Sequence, residues 1–197
     1  MHGTLSDGLE VNVPAQEAWQ IYGTLQITHV THTFDKIEVL KGDGGVGTIL
    51  NSRFRQGTGD AAAVGATSGA TTAVGGPSTA DNAPSSSQPA TFLTTYVLIE
   101  TVTTVFSSYE EMYAKVDDKK MIKEAEVISG GYLDLGFTLY RTVFEIIETS
   151  KTSCITKATI EYDVNEEDVA NFTYVSILPM ISMMKDIATY LLENAKS

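Results

Sequence analysis

One cysteine, Cys154, is the only thiol in this 197-residue chain, so an internal disulfide is excluded. It sits in a strand-like run, which predicts a buried structural side chain. Histidine is nearly as scarce, with three. His29 and His32 stand three apart, but two imidazoles do not make a ligand set, and no metal site is expected. Basic residues are in deficit: 13 Lys and Arg face 25 Asp and Glu, giving a net charge of −12 and a pI near 4.5. Without a basic run, neither nucleic acid nor an anionic membrane is an expected partner.

Two more signals are missing. The opening MHGTLSDGLEVNVPA has no basic segment followed by an apolar one, so a cytoplasmic protein is expected and the sequon Asn171-Phe172-Thr173 carries no predicted glycan. The run TFLTTYVLIETVTTVF (91–106), rich in β-branched and aromatic residues, is short and holds Glu100 and many threonines. It reads as an extended strand rather than a membrane span.

What is present is enough for one core: 43% of the residues are hydrophobic. Leu5, Leu9, Val11 and Val13 alternate with polar residues and predict a strand over 4–13. Pro14 opens a helix whose apolar face is Ala18, Trp19 and Tyr22. Strands over 34–40 and 46–54 flank Lys41-Gly42-Asp43-Gly44-Gly45, a hairpin turn. The GDGGVG stretch has no following Lys-Ser/Thr and precedes a strand, so it is not read as a phosphate loop. Residues 57–90 have almost no large apolar side chains and are expected to be disordered. A meander then follows: 108–116, a turn at 117–120, 121–128, a turn at Gly130-Gly131, 135–148 and 153–164. Asn165 is predicted to cap one long C-terminal helix, with Pro179 as a kink. Its apolar residues near helical spacing are Val169, Phe172, Ile177, Met180, Ile181, Met184, Ile187 and Leu191.

The segments VNVPAQEAWQIYGTL, KIEVLKGDGGVGTIL and YEEMYAKVDDKKMIKEAEVISGGYLDLGF resemble the Bet v 1-like family (pathogenesis-related class ten). They are closest to its norcoclaurine-synthase-like and norbelladine-synthase-like branch. The resemblance covers residues 1 to about 55 and 106 to 197. It implies an α+β helix-grip fold of START-like type, in which a seven-stranded antiparallel sheet wraps a long C-terminal helix and encloses a cavity. The chain is then a single domain, 1–197, interrupted by a low-complexity insert at about 57–105. After Leu25 it is shorter than the family pattern, where a second short helix would form.

Strand alternation defines the faces. Tyr109, Glu111 and Tyr113 share one, as do Met121, Lys123, Ala125 and Val127, and so do Tyr140, Thr142, Phe144 and Ile146. Lys123 is thus a lone amine among small apolar neighbours. It is either a solvated rim residue paired with Glu111 or a desolvated amine able to polarise a carbonyl beside a carboxylate that takes a proton. Tyr113, Tyr140, Thr142, Phe144, Met180 and Met184 are candidate cavity residues, the methionines as irregular wall rather than a cofactor box.

The resemblance implies catalytic roles for Tyr109 (positioning), Glu111 (base) and Lys123 (proton and electrostatic partner). The reaction implied is condensation of an arylethylamine with an aryl aldehyde, with Pictet–Spengler closure in some relatives. The family's further Asp falls on Thr142, which cannot act as a base at neutral pH. A non-catalytic carrier of hydrophobic plant metabolites is the second function expected. Either way the partner is a small hydrophobic or aromatic metabolite, without cofactor, on a monomer or weak dimer. A hormone-receptor role is not expected, since no Ser-Gly-Leu-Pro-Ala gate loop is present.

Overall fold

The computed structural model describes residues 1–54 and 106–195. Ten-residue β1 (His2–Val11) leads through Pro14 into α1 (Ala15–Tyr22) and the short α2 (Ile27–Val30). Then come β2 (Lys36–Lys41), β3 (Ile49–Arg53), β4 (Ser108–Asp117), β5 (Ile122–Gly130), β6 (Phe137–Ser150), β7 (Ser153–Val164) and α3 (Leu178–Asn194). The strands form one seven-stranded antiparallel sheet in the order β1-β7-β6-β5-β4-β3-β2. β7 shows why the residues choose strand: Cys154, Thr156, Ala158, Ile160, Tyr162 and Val164 are buried, and every residue between them is partly exposed. A period of two places one face on the core and the other toward water. Cys154 is fully buried, as expected.

α3 lies against the inner face, touching β1, β7, α1 and α2. Met180, Met183, Met184, Ile187, Ala188 and Leu191 recur at helical spacing and are all buried, while Tyr190 and Leu192 are exposed. The predicted single helix from Asn165 is corrected. A 3-10 turn spans Val169–Tyr174, the chain extends at Val175, and α3 starts only at Leu178. Pro179 falls in its first turn, where a missing N–H breaks no bond, so it starts the helix rather than kinking it. Asn165 ties back to the preceding turn instead: its N–H donates to the Gly136 carbonyl at 3.0 Å. The sequon side chain is also engaged, with Asn171 Nδ2 donating to the Leu135 carbonyl at 2.9 Å. By length and composition Val169–Asn194 could cross a membrane, but the buried face of α3 belongs to the core.

Three further expectations change. α2 forms despite the shortened segment after Leu25, because Ile27 and Val30 bury together. Met121 lies in the left-handed region (φ 53°) and ends the β4–β5 turn instead of opening β5. A short 3-10 turn, Leu133–Leu135, occupies the start of the expected sixth strand and ends at Gly136, whose φ of 81° suits glycine. The disorder expected over 57–90 and the strand expected over 91–105 lie outside the described residues. At the edges of that stretch the chain is closely joined: the Phe54 N–H donates to the Ser107 carbonyl at 3.0 Å, and the Phe54 and Phe106 rings are 5.5 Å apart.

Candidate active site

A cavity lies between the sheet, α2 and the start of α3, with about 460 Å³ of non-atom space including its open mouth. β4 contributes Tyr109, Glu111 and Tyr113; β5 contributes Lys123 and Ala125; β6 contributes Thr142 and Phe144. Leu50, Phe34 and Ile37, with Ile27, Thr28 and Thr31 from the α2 region, close one side, and Met180 and Met183 close another. Alternation therefore brought together the expected catalytic trio and the Tyr113, Thr142, Phe144 and Met180 wall.

Two expected wall residues lie elsewhere. Tyr140 stacks flat on Tyr132, with centroids 3.5 Å apart and planes 6° apart, and Met184 packs in the core while Met183 takes the wall. Leu50 and the α2 residues join the wall without a signal in the strand alternation of β4 to β6. The i, i+3 spacing of Ile27 and Val30 was their one legible signal.

Two register shifts frame the chemistry. One lies between the pairs Glu110–Ser129 and Glu111–Val127, the other between Tyr113–Ala125 and Lys115–Glu124. The second puts Val116, not Lys115, opposite Lys123. Lys115 instead binds Glu124 at 3.0 Å on the outer face. A bulge re-aims side chains in this way, and here it leaves one amine facing inward.

Lys123 is only 2% exposed, which rules out the solvated-rim reading. Its Nζ donates to the Tyr113 hydroxyl at 3.3 Å and to the Thr24 carbonyl at 3.4 Å, and it sits 4.4 Å from the Tyr113 ring centroid. Burial brings its pKa down to about 7, against the pull of the Glu111 charge. Burial likewise pushes Glu111 up to about 7, with Lys123 opposing. Glu111 is half-buried and lines the cavity. Tyr109 is buried among Phe34, Phe54 and Phe106 at 5.7 to 6.4 Å, and burial raises its phenol well above the usual range, keeping it a neutral donor. Thr142 Oγ1 is turned to the Ala125 carbonyl at 3.4 Å. Among the lining residues Glu111 is the sole carboxylate and Lys123 the sole amine. No cluster of three His, Cys, Asp or Glu suited to a metal occurs among the described residues.

Such a fold, a sheet gripping a helix around a largely apolar chamber with one acid and one amine inside, defines a class of small-molecule-handling proteins. The chain belongs to the pathogenesis-related protein Bet v 1 family, whose model matches residues 98–194. Norbelladine synthase of Narcissus pseudonarcissus is 30% identical over 199 residues, spanning 98% of this chain and 94% of that protein. A Thalictrum norcoclaurine synthase point mutant in complex with a transition-state analogue superposes with a TM-score of 0.68 at 26% identity, covering 100% of this chain and 98% of that one. Norcoclaurine synthase from Thalictrum flavum in complex with dopamine and hydroxybenzaldehyde gives 0.65 at 26% identity, covering 98% and 88%.

Proposed function

We propose that this protein is an enzyme that condenses an arylethylamine with an aryl aldehyde, releasing water to give an imine, as its relatives' names and bound ligands suggest. The observation that carries the reading is the presence of Glu111 and Lys123 in one cavity, each with a pKa near 7. A pKa near the working pH gives a group both the right protonation state and enough driving force to move a proton. Lys123 as ammonium polarises the aldehyde carbonyl and protonates the departing oxygen. Glu111 as carboxylate takes a proton from the attacking amine. Tyr109 donates to and orients a phenolic or carbonyl oxygen, and the apolar wall of Phe144, Leu50 and Met180 excludes bulk water, favouring dehydration.

Thr142 supplies no second base, so the open-chain imine is the product this site supports best. Incubation with dopamine and hydroxybenzaldehyde, followed by borohydride trapping of the imine, tests the reading. Secondary-amine formation at the rate of the buffer control would refute it. A carrier of aromatic metabolites is the second reading, favoured by Thr142 and the largely apolar wall. It expects saturable binding of the same compounds without turnover.

A further inference from the structure

We propose that Tyr113 is the positioning residue of this site, its hydroxyl and ring face fixing the Lys123 amine against the cavity wall so that the amine meets a bound carbonyl in one orientation. The inference rests on the condensation reading above. A lysine reaches its target through a flexible four-carbon stem, and a buried amine with three donors is held only by the acceptors it finds. Lys123 has two: the Tyr113 hydroxyl at 3.3 Å and the Thr24 carbonyl at 3.4 Å. The Tyr113 ring adds a π-face 4.4 Å from Nζ, an attraction strengthened where water is absent.

Tyr113 is anchored to the glycine-rich loop between β2 and β3, and the segment after Thr24 lies beside that loop. The Tyr113 N–H donates to the Thr48 carbonyl at 2.9 Å, and the Gly47 N–H donates to the Tyr113 carbonyl at 2.9 Å. Thr48 Oγ1 in turn accepts from the Gly44 N–H at 2.9 Å. Gly42 (φ 93°), Gly44 (φ 106°) and Gly47 (φ 85°) give this loop a shape that side-chain-bearing residues rarely adopt. A Cβ on Gly44 would come within 3.3 Å of Leu25, the residue after Thr24. The glycine-rich loop thus sets Tyr113 by hydrogen bonds, and through it the amine, and its bare Gly44 leaves room for Leu25 beside Thr24. Tyr113 is itself 2% exposed, so it has little freedom to drift.

The electrostatic surroundings leave the lysine dependent on these neutral contacts. β4 brings Glu111, the one charged group facing it, and the two form no direct ion pair. β6 brings Thr142 and Phe144, α2 brings Thr28, and α3 brings Met180, all uncharged. Removing the Tyr113 hydroxyl withdraws an acceptor from the charged amine, which lowers the lysine's pKa.

Tyr113→Phe keeps ring and volume and deletes the acceptor; Tyr113→Leu deletes both contacts. Lysine labelled with carbon-13 at Cε, with the Lys123 resonance assigned by its loss in Lys123→Met, reports the titration directly. The Lys123 pKa is expected to fall by about one unit in Tyr113→Phe and further in Tyr113→Leu. With dopamine and hydroxybenzaldehyde, kcat is expected to fall about tenfold in Tyr113→Phe with KM changed less than about twofold, the alkaline limb of the pH profile moving with the NMR pKa. An unmoved Lys123 titration, or a rate loss that only follows lost stability, would overturn the proposal; if Tyr113→Leu does not fold, Tyr113→Phe decides alone. If the parent protein shows no condensation, the functional reading fails, while the NMR titration still reports whether Tyr113 holds Lys123.

Discussion

Glu111 and Lys123 face one cavity and shift each other's ionisation, yet no ion pair joins them. A carboxylate held off a lysine keeps a free lone pair for an incoming ammonium, and the lysine keeps a proton for a carbonyl. Glu111→Gln preserves shape and removes the base. Turnover of dopamine and hydroxybenzaldehyde is expected to drop by about 10² to 10⁴, the usual worth of general acid–base help. KM should change little, because the amide still fills the space. Steady-state kinetics over the buffer background check this, and turnover within about threefold of parental would remove Glu111 from the mechanism.

The same two groups give stability a distinctive pH dependence. Glu111 has a raised folded pKa of about 7, so between about 4.5 and 7 the folded state binds more protons than the unfolded, and stability falls as pH rises. Lys123 has a lowered folded pKa of about 7, so between about 7 and 10.5 the unfolded state binds more protons, and stability rises with pH. The pair therefore contributes a minimum near neutrality. Lys123→Met keeps most of the apolar stem and abolishes the rise above pH 7. Its Tm at pH 7 should equal or exceed the parental value, by about 2–4 °C for each kcal/mol of desolvation relieved. Thermal melts of parent, Lys123→Met and Glu111→Gln at pH 5, 7 and 9 give the comparison. A Lys123→Met protein clearly less stable at pH 7 would show that the amine's contacts outweigh its burial.

The legible and illegible parts of this chain divide along a physical line. Period-two alternation is local, so Tyr109, Glu111 and Tyr113, and again Lys123, Ala125 and Val127, could be assigned to shared faces from spacing alone, and the structure buries Lys123 as that pattern allows. The helix boundary is not legible locally: Asn165 looks like a cap in sequence, whereas in the fold its N–H goes to Gly136, 29 positions earlier. The acceptors of Lys123 were hidden for the same reason. Thr24 is 99 residues away, and the bulge that turns Lys115 outward is a property of the paired strands. Tyr140 sits on the predicted face, but stacking on Tyr132 takes it away from the cavity wall.

Thr142→Asp tests whether the missing second base limits the product. A carboxylate at this buried position gains attraction from Lys123, whose pKa should rise, and it leaves the Ala125 carbonyl without its hydroxyl donor. The variant is expected to lose about 1–3 kcal/mol of stability, a normal penalty for burying a charge with partial compensation. In exchange, cyclised tetrahydroisoquinoline should appear from dopamine and 4-hydroxyphenylacetaldehyde with measurable enantiomeric excess. Chiral chromatography reads the result. A folded variant that yields only racemic, buffer-level product would mean that Thr142 does not set the product.

The last expectation concerns the stretch between β3 and β4. Phe54 and Ser107 are already hydrogen-bonded at 3.0 Å, and the Phe54 and Phe106 rings touch, so five residues suffice to bridge them. Deleting 58–103 leaves that many of the 51 residues that now separate Phe54 from Phe106. Loop-closure entropy alone then favours the shortened protein by up to about 2 kcal/mol, since the term grows as the logarithm of loop length. Tm should hold or rise by a few degrees, measured by circular dichroism. The family match begins at residue 98, which makes a second deletion, 58–97, informative. If that variant is stable and the longer deletion loses more than about 5 °C, residues 98–103 contribute packing to the fold. If both lose it, the whole stretch does, and the single-domain reading with a foreign insert is wrong.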